Sequence, residues 1–337
     1  MFGFVSLAEI AAEINRGIER VPLEIKVVVG IPRSGMIPAY LIGLYRNVSV
    51  LDLPAFLAGA RPEHGGRSVR MMAERPMETD WILLVDDSLT TGSSMRDAVQ
   101  RIREAGFAGK ITTCAVVVEP SQYQQVDLHF FEMPQPRVFE WNAFHHSVVE
   151  DACFDLDGIL CVDPTTEEND DGPRYREFLR CAQPRFRPTG VIGNIVSARL
   201  ERYRELTEQW LAANHIAYRQ LHLVDLPCAE ERTGQRTHCA YKAKVYRESG
   251  AAIFFENEPA HAEEIAHLSG RPVLCTGDMH LYLPGLRTWP LREIAKWKLA
   301  VPHGRIMAKL RSWRREVEKI TSGRVQPELG SGSDERP

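Results

Sequence analysis

The chain has 337 residues, 44% of them hydrophobic, and a formal net charge of −4. That length suits two α/β domains, and the balanced composition excludes a disordered or fibrous protein. Acidic residues outnumber basic ones, 45 to 41, which argues against a polyanion-binding protein and against nucleic acid as a partner.

The opening, MFGFVSLAEIAAEI, lacks a basic leader and reads as an amphipathic helix over 6–20, not a signal peptide. EIKVVVGI (24–31) reads as a buried strand, because a parallel strand covered on both faces is a continuous apolar run. A helix is predicted over 35–47, its early proline tolerable in a first turn. A short strand and turn follow over 49–57, then a glycine-, proline- and arginine-containing loop over 58–78. WILLVDD (81–87) is the next strand, 93–106 a helix, 110–120 a strand and 126–134 an edge strand. The sheet pattern lapses at about 135–150 and then restarts. Strands are predicted leading into DLDG at 155, at 190–198, 216–224, 251–257 and 271–276. Helices are predicted at 199–215, 238–250 and 259–270.

The expected architecture is α/β: two Rossmann-like parallel-sheet domains in tandem, followed by a basic helical C-terminal segment. The boundaries are 1–140, then 148–288 with at most a small cap at 160–190, a helical extension over 289–325 and a disordered tail over 326–337. No internal repeat is evident. No run approaches about 18 apolar residues, so no transmembrane span is expected. The seven cysteines form no CxxC pair, which reads as buried thiols in a reducing cytoplasm.

Two stretches carry chemistry. In VDDSLTTGSSM, Asp86 and Asp87 close a buried strand, where ligands of open α/β sheets bind. Two carboxylates there can accept hydrogen bonds from vicinal hydroxyls or hold water around Mg2+. Gly92 permits a left-handed turn. Thr90, Thr91, Ser93 and Ser94 then lead into a helix N-terminus, which favours a phosphate. The Walker spacing and its lysine are absent, which disfavours a nucleoside triphosphate. The plainer alternative is a cluster of capping hydroxyls after an ordinary strand end.

VDDSLTTGSSM resembles the phosphoribosyl pyrophosphate motif of type I phosphoribosyltransferases, and the resemblance covers about residues 1–130. It implies that Asp86 and Asp87 hold the ribose hydroxyls and that Ser88 and Thr90, Thr91, Gly92, Ser93 and Ser94 cradle the 5′-phosphate. VVGIPRSGMIPA (28–39) resembles the family's pyrophosphate loop, with Arg33, Ser34 and Gly35 on the diphosphate and often a non-proline cis peptide. Arg67, Arg70 and Arg75 fall where the family has a mobile loop. The implied reaction is Mg2+-dependent displacement at the anomeric carbon by a nucleobase-like acceptor, and the implied assembly a homodimer. The acceptor hood falls on the N-terminal helix and parts of 120–145. There Phe130, Phe131, Trp141 and Phe144 either stack on a base or belong to the core.

In FDLDG, strand periodicity puts Asp155 and Asp157 on one side, and Gly158 lets the chain turn away. One carboxylate can attack phosphorus while the other handles the proton. IVSAR brings Ser197 to a strand end, Lys242 or Lys244 supplies positive charge from a helix, and FFENE ends a further strand at Glu256, Asn257 and Glu258. In this order the pieces resemble the haloacid dehalogenase-like phosphatase superfamily, over about 148–285. The resemblance implies a nucleophile role for Asp155, acid–base for Asp157, phosphoryl binding for Ser197 and charge for Lys242. It implies Mg2+ on Asp155, Asp157, Glu256 and Asn257, and a phosphomonoester substrate. The family usually has aspartates where this chain has Glu256, Asn257 and Glu258. Three readings of the whole chain follow: a bifunctional transferase–phosphatase, a ligand-sensing regulator, and a transferase with an inert phosphatase-like scaffold.

Cys228, His238, Cys239 and His222 could be drawn as a zinc site but lack its spacing. His145–His146 reads as linker, with a substrate contact at the domain seam as the alternative. The basic, tryptophan-containing 289–320 segment reads as helices wrapping the body, with binding of RNA, anionic lipid or a partner helix as the alternative.

Overall fold

The computed structural model describes residues 2–62, 75–226 and 235–285. Arg67, Arg70, Cys228, the helical extension and the tail lie outside the described residues. In chain order the elements are β1 (Gly3–Val5), α1 (Leu7–Gly17), β2 (Val27–Gly30), α2 (Met36–Arg46), β3 (Ser49–Asp52) and α3 (Leu53–Leu57). Next come β4 (Trp81–Leu89), α4 (Ser93–Glu104), β5 (Lys110–Val118), β6 (Leu128–Glu132), β7 (Arg137–Phe139) and β8 (Ala152–Phe154). The remainder are α5 (Pro173–Cys181), β9 (Ile192–Leu200), α6 (Arg204–Ala213), β10 (Tyr218–Val224), α7 (Gln235–Ser249), β11 (Ile253–Glu256), α8 (Pro259–Ser269), β12 (Val273–Cys275) and β13 (His280–Tyr282).

The strands form an α/β arrangement of parallel sheets. A five-stranded sheet runs β3-β2-β4-β5-β6, all parallel. A six-stranded sheet runs β10-β9-β8-β11-β12-β13, parallel except for the last pair. In each, the chain lays strands to one side of its first strand and then returns to the other. The order reverses between β2 and β4 in the first sheet and between β8 and β11 in the second. A crevice opens at such a reversal, because the connections leave in opposite directions.

Local chemistry explains most element boundaries. Ser6 caps α1, its Oγ accepting from Glu9 N at 3.1 Å. The strand and turn expected at 49–57 prove to be a strand and a short helix, because Asp52 Oδ1 accepts from Ala55 N at 2.6 Å and Pro54 suits the first turn. The helix expected from 199 begins at Arg204. Residues up to Leu200 remain on β9, with Leu200 beside Val224 of β10 and buried, and a 3-10 turn follows. Ser197 therefore sits within a strand, not near a helix start.

The pairing of β1 with β7, three residues each, carries no pattern long enough to read from sequence. It joins the chain's start to the 135–150 segment. Phe2, Phe4 and Val138 pack in one core with Phe154 and Phe255 of the second sheet. Phe144 stacks on Phe186 at 4.3 Å in that core, and Phe130 is buried in the core of the first sheet. These two rings are thus spent on packing. Trp141 stacks on Phe139 at 4.7 Å, and Phe131 is half-buried. His146 Nδ1 accepts from Val148 N and caps a 3-10 turn. Among the described residues no helix is long and apolar enough to cross a membrane.

Candidate functional site

The first crevice is a cavity of about 280 Å³ between the β2–α2 loop and the end of β4. Its walls are Ile31, Pro32 and Ser34 on one side and residues 86–95 on the other. The Pro32–Arg33 peptide is cis. Arg33 is exposed and does not line the cavity wall. Ser34 Oγ donates to Asp87 Oδ1 at 3.0 Å and ties the two loops together. Gly35 is forced by closeness: a Cβ there would stand 2.5 Å from Ile31 O, 3.0 Å from Val85 O and 3.1 Å from Asp86 Cα. All three are backbone atoms with nowhere to go.

Asp86 and Asp87 belong to a strand two residues longer than the apolar run implied. Asp87 N donates to Asp86 Oδ1 at 2.9 Å. Burial first, and then its hydrogen bond and repulsion with Asp87, push the Asp86 carboxyl up to about 8. A carboxyl so displaced marks a place short of positive charge. The donors around it are hard oxygens, which fit Mg2+.

The turn that follows is pinned from several sides. Gly92 has φ of +71° and opens α4. Thr91 Oγ1 and Ser93 Oγ lie 3.1 Å apart, and Arg96 Nη1 donates to Thr91 O at 3.0 Å. Beneath the turn lies Arg137 of β7, which is buried. Its Nη2 donates to Leu89 O at 3.2 Å and to Thr90 Oγ1 at 3.3 Å, and its Nη1 donates to Met133 O. Glu119 Oε2 lies 3.7 Å away. Burial draws the Arg137 guanidinium below its ordinary value, while Glu119 and Asp87 oppose the shift.

A second cluster of charged side chains lies at the reversal between β8 and β11. Asp155 follows β8 and Glu256 ends β11, and both are buried. Lys242 of α7 donates to Asp155 Oδ2 at 2.6 Å and to Glu256 Oε2 at 2.8 Å. Lys244 is exposed. Asp155 Oδ1 accepts from Leu156 N at 2.8 Å. Burial pushes the Asp155 carboxyl up to about 8 against the pull of Lys242, with Glu256 and Asp157 adding to the rise. Burial also opposes the charge on Lys242, but the two carboxylates outweigh it and hold the ammonium above its ordinary value.

Asp157 is held by a residue that sequence reasoning passed over. Arg199 Nη2 and Nε donate to its Oδ1 and Oδ2 at 2.6 and 3.1 Å, a two-point grip. Arg199 is buried, and its Nη1 donates to Thr207 Oγ1 at 3.3 Å. The signal was present: Arg199 is two residues beyond Ser197 on β9, hence on the same face. Ser197 is buried, and its Oγ accepts from Arg199 N at 3.2 Å. Asn257 Nδ2 donates to Asp163 Oδ2 at 3.1 Å. The carboxylates expected to ligate a metal here are thus paired with Lys242 and Arg199. Among the described residues no group of three or more His, Cys, Asp or Glu is arranged to hold an ion. The four-residue metal set does not fit as arranged. Of the zinc pattern, His222 Nε2 lies 3.1 Å from Asn194 Oδ1 and Cys239 is buried, while Cys228 lies outside the described residues.

Residues 4–152 match the family model described as "Phosphoribosyl transferase domain". No curated protein matches the chain. Among solved structures it is similar to a purine phosphoribosyltransferase from Pyrococcus horikoshii Ot3, at 17% identity and a TM-score of 0.32, over 42% of this chain and 93% of that one. It is also similar to the Helicobacter pylori xanthine-guanine-hypoxanthine phosphoribosyltransferase, at 14% identity and a TM-score of 0.33, over 42% and 93%. A third is an orotate phosphoribosyltransferase from Aeropyrum pernix, at 17% and 0.26, over 37% and 71%.

Proposed function

We propose that residues 4–152 transfer a phosphoribosyl group between phosphoribosyl pyrophosphate and a nitrogenous base. The observation that carries this reading is the placement of Asp86 and Asp87 inside the first crevice, facing the 31–35 loop, with the hydroxyl-lined turn beside them. Asp86 and Asp87 accept hydrogen bonds from the ribose hydroxyls. The N–H groups and hydroxyls opening α4 hold the 5′-phosphate, which no side-chain cation need touch. The backbone of Ser34 and Gly35, with Arg33, faces the diphosphate. Mg2+, when bound, spreads the charge that develops on the leaving pyrophosphate. Pyrophosphate release from the full chain, Mg2+ and phosphoribosyl pyrophosphate, assayed against a panel of purine and pyrimidine bases, tests the reading. No release with any base overturns it. Tight binding without release supports the sensing alternative instead.

A second activity is proposed at the Asp155 cluster: hydrolysis of a phosphomonoester through an aspartyl-phosphate on Asp155. The Lys242 bridge between Asp155 and Glu256 favours it, since a buried lysine there pulls the carboxyl back toward its charged, nucleophilic form against the burial that raises it. The two-point grip of Arg199 fixes the orientation of Asp157, two residues along from Asp155. The product of transfer is itself a phosphomonoester, and linkage in one chain raises its local concentration. Asp155→Asn assayed on a nucleoside monophosphate panel decides. Unchanged hydrolysis removes Asp155 from the mechanism, and no hydrolysis by the parent chain leaves an inert scaffold beside the transferase.

A further inference from the structure

Thr90 is exposed on the wall of the first crevice, and its hydroxyl oxygen is approached by two donors from below. Gln135 Nε2 reaches it at 3.1 Å and Arg137 Nη2 at 3.3 Å. A hydroxyl has two acceptor positions and one proton to give. With both acceptor positions taken, the Thr90 O–H has only one use, donation outward. We propose that Arg137 is a positioning residue that makes Thr90 an obligate hydrogen-bond donor to the phosphate of the ligand and fixes the Leu89–Thr90 turn that carries it. The proposal rests on the phosphoribosyl transfer reading above.

The neighbouring anchors do not explain the arrangement by themselves. Arg96 and Gln135 are exposed, so water competes for their bonds. Arg137 is only 3% exposed, and its bond to Leu89 O is buried, so the guanidinium that reaches Thr90 Oγ1 is held from the interior. Placing a guanidinium there is costly, since its Nε is buried without a partner and its carboxylate neighbour Glu119 stands 3.7 Å away. An apolar residue would cover the same strand face without that cost. What an apolar residue cannot do is hold a carbonyl and a hydroxyl of one turn with a single nitrogen. Leu89 O also accepts from Glu119 N at 2.9 Å, so the turn is tied to β5 at the same atom.

The test is a double-mutant cycle on the full chain, with Arg137→Gln, Thr90→Val and the pair, read as the calorimetric Kd for phosphoribosyl pyrophosphate with Mg2+ and as thermal melting. Arg137→Gln and Thr90→Val are each expected to weaken binding about tenfold or more, and the pair no more than about twofold beyond the worse single variant. Arg137→Lys should restore part of the affinity. At saturating ligand, kcat should fall less than KM rises. Should Arg137→Gln fail to melt cooperatively, Arg137→Met, which covers the same strand face without a buried charge, completes the same cycle with Thr90→Val. Independent, additive losses, or unchanged affinity in folded Arg137 variants, overturn the proposal while leaving the transfer reading in place. A parent chain that binds no phosphoribosyl pyrophosphate overturns both.

Discussion

Arg199 grips Asp157 through both carboxylate oxygens, at 2.6 and 3.1 Å, from a position with no solvent-exposed side-chain surface. Removing Arg199 leaves Asp157, 21% exposed, without its two donors, whereas removing Asp157 would leave a buried guanidinium alone. Arg199→Met is expected to cost about 1–3 kcal/mol in urea unfolding, and adding Asp157→Asn should recover part of it. Equal stability of Arg199→Met and the parent chain would show that the pair does not form in solution.

The Lys242 bridge gives a parallel contrast between two lysines. Lys242→Met strands Asp155 and Glu256 without a cation, and about 3–5 kcal/mol of stability should be lost. Lys244→Met, at an exposed site on the same helix, should change stability by about 0.5 kcal/mol or less. Monoester hydrolysis, if present in the parent, should vanish in the first variant and persist in the second.

Asp86 predicts the sign of a pH dependence. Its folded carboxyl titrates at about 8 against an ordinary value of 3.8. Between those values the folded state keeps a proton that the unfolded state gives up, so this group's contribution makes stability fall as pH rises and level off above about 8. Asp86→Asn should flatten that slope and raise the melting temperature at pH 8 relative to the parent, while abolishing phosphoribosyl transfer. A melting curve series across this range checks both; parallel slopes in the two proteins would contradict the assignment.

Gly35 and Gly190 separate a crowded glycine from a free one. A Cβ at Gly35 meets three backbone atoms, whereas one at Gly190 meets nothing within 4 Å. Gly35→Ala should cost about 1–3 kcal/mol and weaken binding of phosphoribosyl pyrophosphate by displacing the 31–35 loop. Gly190→Ala should leave both unchanged. Thermal melting and calorimetry on the two variants provide the comparison.

Much of this protein was legible along the chain. Apolar runs that stop at acids, as at Asp86 and Asp155, mark buried parallel strands, because covering both faces of a strand leaves no alternation to show. The hydroxyl turn after Asp87 lines the first cavity, and the FDLDG acids fall together with Lys242 and Arg199, because these stretches are built from neighbours in sequence. Tertiary structure alone decided the rest. Strand order brought β8 beside β11 and so set Lys242, rather than Lys244, between Asp155 and Glu256. Three-residue strands β1 and β7 paired without any periodic signal, and only that pairing carried Arg137 beneath Thr90. Periodicity records which side of an element is buried, but the partner met there depends on segments distant in the chain.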